Sequence, residues 1–207
     1  MWSSEVTNMI ITGIWETLYM TLVSTLVGYV IGLPMGIILT VSDKDGIKPN
    51  AVLYKILDVI ANIVRSVPFI ILLVLLIPFT RLVVGKSYGS TATIVPLVIA
   101  AAPYIARMVE SSLKEVDAGV IEAARSMGAS NFTIITKVML VEARTSLLVG
   151  ATITLGTILG YSAMSGAVGG GGLGAIAIRY GYTRWQTDIM IVTVILLIIL
   201  FQIFQTV

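Results

Sequence analysis

Long apolar stretches alternate with short polar ones along this chain. Five of them are long enough to cross a hydrocarbon core, which takes about 20 largely apolar residues in a helix. They cover about residues 15–40, 57–84, 91–109, 146–165 and 187–207. Lipid offers nothing to an unpaired backbone amide, so such stretches are expected to be helices, and no alternating barrel pattern competes. The expected fold is an all-α membrane protein with five transmembrane helices and a polar insert, about 110–145, between the third and fourth.

That insert is too charged to span. It holds Glu110, Lys114, Glu115, Asp117, Glu122, Arg125, Lys137, Glu142 and Arg144, and each charge would cost about 2.5–3.5 kcal/mol at the bilayer centre. It still has helical order. Val116, Val120, Ala123, Ala124 and Met127 recur at spacings of three and four, as one face of a helix requires. Asp117 suits an N-cap, and Gly128 can take the left-handed conformation that ends a helix. Ser130 or Asn131 then caps a second helix, in which Phe132, Ile135, Val138 and Met139 share a face. The pattern predicts helix, glycine turn, helix. Such a hairpin could lie on lipid headgroups, although the cationic polar face that this requires is absent. It could instead dock into a groove of another protein, with small residues allowing close approach and Glu122 presenting a carboxylate.

Basic residues near the span ends set the orientation. Lys44, Lys48, Lys55, Arg107, Lys114, Arg125, Lys137 and Arg144 fall on one side, against Arg81, Lys86, Arg179 and Arg184 on the other. The insert is therefore expected in the cytoplasm and the N-terminus outside. The first residues show no basic region before an apolar core and no small-residue cleavage site, so the first span is expected to anchor the mature chain. The ending "FQIFQTV" lacks the basic tail of a cytoplasmic terminus, as a truncated chain would.

Composition narrows the chemistry. Hydrophobic residues make up 57% of the 207 and charged ones 12%, with a mean hydropathy of +1.00, which is outside the soluble range. Thirteen basic and eleven acidic residues nearly cancel, and without a basic run nucleic-acid binding is not expected. With no Cys and no His, disulfides, thiol catalysis and the common transition-metal sites are ruled out. No catalytic residue and no metal ligand is expected.

Other features fall in the spans. Thr154, Thr157, Tyr161 and Ser165 sit at i, i+3, i+7 and i+11, on one helical face, with Met164 close to it. Such hydroxyls serve either helix packing and their own backbone, or a pathway whose thioether and phenol exclude water when closed. Gly28, Gly32 and Gly36 form a ridge that permits close helix approach. Pro34, Pro68, Pro78, Pro96 and Pro103 interrupt the first three spans. "VGGGGLGAI", 168–176, contains G-x-G-x-x-G at Gly169, Gly171 and Gly174, but no strand precedes it and Ala175 and Ile176 stand where a phosphate loop needs Lys and Ser or Thr. It is expected to be a flexible external turn. Arg65, seven residues after Asp58 and in phase with it, either snorkels to the interface or makes a gating contact.

The insert sequence "GVIEAARSMGASNFTIITKVMLVEA" resembles the cytoplasmic signature of ABC importer permeases, with Glu122, Ala123 and Ala124 followed by Gly128. In that family the segment is the coupling helix that docks on a cytoplasmic ATPase. The resemblance thus implies an ATPase-coupling set of Asp117, Glu122, Ala123, Ala124, Met127 and Gly128. Stretches 61–85, 102–130 and 159–182 point to the methionine importer branch. Val141 departs from the family, which usually has proline there.

The resemblance further implies a single permease domain, 1–207, in a bacterial inner membrane. It implies a second copy of the chain, two ATPase subunits carrying ATP and Mg²⁺, an extracytoplasmic substrate-binding protein, and no cofactor on this chain. The translocation path would run at the dimer interface, which favours the pathway reading of Thr154, Thr157, Tyr161, Met164 and Ser165, and transport would proceed by alternating access. The alternatives are another small amino acid as substrate, or a secondary transporter or channel. These last commonly bury charges along the path, whereas Glu16, Asp58 and Asp188 lie near span ends. An intramembrane protease would need His, Cys, paired aspartates or a lysine inside a span, and this chain has none.

Overall fold

The computed structural model describes residues 4–206, and all regular structure among them is helical. Residues 1–3, which belong to the stretch expected to lack a cleaved leader, and Val207, the end of the fifth expected span, lie outside the described residues. The long helices are α1 (Ser4–Ser42), α2 (Ala51–Ser66), α5 (Ser90–Lys114), α9 (Arg144–Ser165) and α11 (Thr187–Thr206). Between them lie α3 (Phe69–Leu75), α4 (Ile77–Val84), α6 (Ala118–Ser126), α7 (Asn131–Thr133), α8 (Leu140–Glu142) and α10 (Gly172–Ile176). Four stretches, Ser4–Ser42, Ser90–Lys114, Arg144–Tyr182 and Thr187–Thr206, are long and apolar enough to cross a membrane, and α2 with α3 makes a fifth if counted as one.

The second expected span, 57–84, is broken into three helices. Pro68 has no N–H and pushes the residue before it out of the helical region, and its own ψ of 133° is extended. Pro78 sits in the first turn of α4, where a missing N–H costs nothing. Gly85, at φ +78°, ends α4. Pro34, Pro96 and Pro103, by contrast, lie inside the uninterrupted α1 and α5, so those three do not interrupt their spans.

The chain divides into two compact units, whose bounds fall inside α1, α5 and α9. One comprises Gly28–Ser66 and Ala102–Ala151. Its packing rests on the glycine ridge. A Cβ on Gly32 would stand 2.6 Å from the Ala102 carbonyl oxygen, and one on Gly36 2.6 Å from that of Ala106. Glycine thus lets α1 and α5 touch backbone to backbone, with Leu39, Ile105 and Val109 sealed beside the contact.

The other unit comprises the chain up to Val27, Val67–Ala101, and the chain from Thr152. Here Ile10 of α1 joins Leu173, Ile176 and Ile189 in a core flanked by Val6, Met9 and Ile14. This burial extends α1 eleven residues ahead of its expected start at 15.

The glycine run is not a flexible turn. A Gly166–Val168 turn of 3₁₀ helix leads through Gly169 (φ +82°) and Gly171 (φ +88°) into α10, and Gly172, Leu173, Gly174 and Ile176 are buried. Any side chain on Gly174 would overlap the Ala163 backbone, and one on Gly166 would overlap Ala175. The hairpin is a close-packed fold-back, and glycine is required there for space.

Candidate functional site

Segment 117–143 forms the predicted helix, turn and second helical stretch. The Asp117 carboxylate accepts the Gly119 N–H at 2.7 Å at the start of α6. Gly128, at φ +82°, ends that helix with open space where a Cβ would be. Ser130 caps α7 by accepting the Thr133 N–H at 3.2 Å. What differs is the buried face. Val116 and Ala124 point inward, whereas Val120 is 42% and Met127 82% exposed, and Glu122 and Ala123 are exposed as well. Of the five apolar positions expected to share a face, two are buried and three, Val120, Ala123 and Met127, face away from the chain's own core.

The second stretch changes phase for a different reason. Residues Ile134–Met139 form a π-helical turn, in which i and i+5 rather than i and i+4 align. Ile134 and Met139 are therefore the buried pair, and Phe132 is 75% exposed. At position 141, where the family's proline would stand, Val141 continues α8, and the helical run breaks instead at Ala143 (ψ 1°) before α9 begins.

Behind α6 lies a cavity of about 530 Å³ lined by Asp43, Ile47, Lys114, Ile121, Glu122 and Arg125 among others. Arg125 crosses to the 43–50 loop and donates to the Ile47 carbonyl at 3.1 Å. Next to the cavity runs a chain of charges that the sequence pattern does not bring together, Asp58 being expected near a span end and Glu110 and Lys114 in the polar insert. Lys114 contacts Asp43 at 2.6 Å and Glu110 at 2.8 Å. Glu110 also accepts from Arg107 at 2.7 Å and from the Tyr54 hydroxyl at 3.3 Å. Arg107 in turn pairs with Asp58 and donates to Asn62 at 2.9 Å.

Glu110 is 5% exposed, and its carboxylate oxygens are met by two cations and a phenol. Lys114 holds the Asp43 carboxyl below its ordinary value, chiefly by hydrogen bonding. The network ties α2 and the end of α1 to α5. Its signal in the sequence was the i+3 and i+4 spacing of Arg107, Glu110 and Lys114, which continues the helical period past 109. Asp58 is therefore engaged by Arg107 and not by Arg65, which is exposed at the end of α2.

On α9 the five candidate pathway residues do not present one uniform face. Thr154 and Ser165 are fully buried. Ser165 donates to the Ser162 carbonyl at 2.6 Å and Thr157 to that of Ile153 at 2.9 Å. Tyr161 stacks on Phe69, with ring centroids 4.4 Å apart and planes 4° from parallel. Met164 is 52% exposed. Within this chain the accessible members are Met164, Tyr161 and Thr157.

The sequence reading also missed a clasp on the glycine hairpin. The Glu16 carboxylate accepts the Gly172 N–H at 2.7 Å, and the Thr17 hydroxyl accepts the Leu173 N–H at 2.9 Å. Two orphan donors at the start of α10 are thereby satisfied by side chains of α1.

Comparison with known proteins gives a consistent picture. Residues 28–207 match the family described as binding-protein-dependent transport system inner membrane component. The probable D-methionine transport system permease protein MetI of Vibrio cholerae is 49% identical over 206 residues, covering 100% of this chain and 92% of that protein. The D-methionine transport system permease protein MetI of Escherichia coli K12 is 53% identical over 158 residues, 76% of this chain and 73% of that one. A chain of the MetNI methionine ABC transporter in an inward-facing conformation superposes with a TM-score of 0.97 at 51% identity, covering 99% of this chain and 95% of that one. A chain of an amino acid ABC transporter, at 22% identity and a TM-score of 0.79, shares the fold. With the match running over most of its length, this chain belongs to the family of binding-protein-dependent transport system inner membrane components.

Proposed function

We propose that this chain is the permease subunit of an ATP-driven importer of methionine, working as a single domain in a homodimer with two cytoplasmic ATPase subunits and an extracytoplasmic binding protein. ATP and Mg²⁺ sit on the ATPase, and the permease makes and breaks no bonds. The segment 117–143 faces the cytoplasm and the N-terminus faces out. Methionine as cargo is supported by relatives of about half identity that carry that name.

The observation that carries the reading is the outward face of α6. A nine-residue helix capped by Asp117 and closed by Gly128 turns Ala124 inward and leaves Val120, Ala123 and Met127 exposed, while Glu122 is exposed on the side of the cavity. Apolar side chains on a capped, braced helix outside the spans suit a groove on a partner protein. Arg125 and the charge network provide the brace, so a push on α6 is passed to the end of α1 and to α5. In this mechanism closure of the ATPases moves α6 in both copies, the helices tilt, and Met164 with Tyr161 and Thr157 opens the path by alternating access. Thr154 and Ser165 shape it from behind.

Co-purification from mild detergent tests the docking step, with Met127→Glu and Gly128→Val as variants. Met127 is too exposed for its replacement to disturb the core, so loss of the ATPase from Met127→Glu, with insertion intact, is the expected result. Retention of stoichiometric ATPase by both variants would sink the docking role. Substrate-stimulated ATPase activity of the assembled complex, with methionine against other small amino acids, tests the cargo.

A further inference from the structure

The segment from the π-helical turn Ala177–Tyr182 to the start of α11 has no part in the mechanism above, yet its composition and geometry are specific. Arg179 and Arg184 both lie over the ring of Tyr180, their guanidinium carbons 5.7 and 4.6 Å from its centroid. The two cations are therefore no more than about 10 Å apart. Among the described residues neither is paired with a carboxylate within 4.0 Å. Asp188 is exposed nearby in sequence, and Glu16, which shares a groove with Arg179, spends one carboxylate oxygen on the Gly172 N–H.

Tyr182 is 69% and Trp185 84% exposed beside these arginines, and Trp185 is the one non-glycine residue among those described with positive φ, at 57°. Two rings turned outward at the junction of two apolar helices are the mark of the membrane–water boundary. A groove of about 270 Å³ between α1 and α10 is lined by Met9, Ala175 and Ile176 together with Glu16, Arg179 and Tyr180.

We propose that this site holds an anionic phospholipid, its phosphate between Arg179 and Arg184 and an acyl chain along the groove. Two like charges held beside one ring without a carboxylate partner favour an anion, because guanidinium groups give phosphate paired, charge-assisted hydrogen bonds. The apolar groove beside them distinguishes a lipid from a free phosphate, and the aromatic pair sets the depth at which headgroups lie. The assignment is independent of what the protein transports.

The test uses the full chain, delipidated in detergent and then given phosphatidylglycerol, phosphatidylcholine or inorganic phosphate, with retained lipid counted by native mass spectrometry. Wild type is expected to keep phosphatidylglycerol in preference to phosphatidylcholine, and R179Q/R184Q to lower that preference about tenfold. Lys86→Gln, which removes a basic residue elsewhere, should leave it unchanged. Helix content by circular dichroism confirms that the double variant is folded, and Trp185→Ala offers a second variant that should weaken retention through depth rather than charge. Equal retention of the two lipids by wild type, or an unaltered preference in R179Q/R184Q, would overturn the proposal. So would displacement of the bound lipid by millimolar inorganic phosphate, which would mean a bare anion site.

Discussion

Two glycine turns in this molecule look alike in sequence and do opposite work. At Gly128 the chain needs a positive φ, and the space around the missing Cβ is empty. At Gly166 and Gly174 the chain needs room, because the Ala163 and Ala175 backbones occupy the place of a Cβ. The first turn leaves a helix facing outward, and the second locks the chain into a core. A glycine's role is therefore read from its surroundings, and mutation should separate the two.

The largest effect is expected from Gly174→Ala. Its Cβ would overlap backbone that has no rotamer to yield, so the loss should exceed the roughly 1–3 kcal/mol of ordinary overpacking, seen as a sharp drop in thermal stability in detergent. Wild-type stability would remove the distinction between the turns. Next is Glu110→Ala, which takes one of two carboxylate partners from each of Arg107 and Lys114 and should cost up to about 3 kcal/mol, measurable in the same scan. Glu16→Ala should come third, exposing the Gly172 N–H at about 1.5–3 kcal/mol for a charge-assisted bond, with faster amide exchange at residues 171–174 as its signature.

Gly128→Ala should cost only about 1–2 kcal/mol, the penalty for a Cβ in the left-handed region, while altering ATPase capture more than stability. The smallest effect belongs to Asp43→Asn. Lys114 lowers the Asp43 pKa in the folded state, so the wild-type advantage is present above the ordinary aspartate value of about 3.9 and is lost as pH falls through the lower folded value. The difference between the two proteins should therefore shrink in acid below about pH 4.

What could be read in advance follows the same division. The caps of α6 were legible because Asp117, Gly128 and Ser130 act on their own neighbours within a few residues. Helical stretches were legible from hydropathy, since lipid forces the backbone to pair with itself. The inward face of the second stretch was not, because the π turn at Ile134–Met139 replaces a period of four with one of five. Nor was the clasp between Glu16 and Gly172, whose partners are 156 positions apart. Arg107, Glu110 and Lys114 gave a fair signal in their spacing, but their charge reads as the start of the polar insert, and their burial depends on Asp58 and Asp43 arriving from elsewhere. Pro68 is visible as well, as an interruption of the second span, but that α2 ends there outright is not.

The 39 residues of α1, at 1.5 Å each, give a rod of about 58 Å, nearly twice the roughly 30 Å thickness of a hydrocarbon layer. Such a rod has to lean steeply or project, and a leaning rod meets a thicker bilayer by standing more upright. This gives the protein slack against hydrophobic mismatch. Reconstituted into lipids of increasing chain length, it should keep its activity over a wider range than the 20-residue α11 alone would permit.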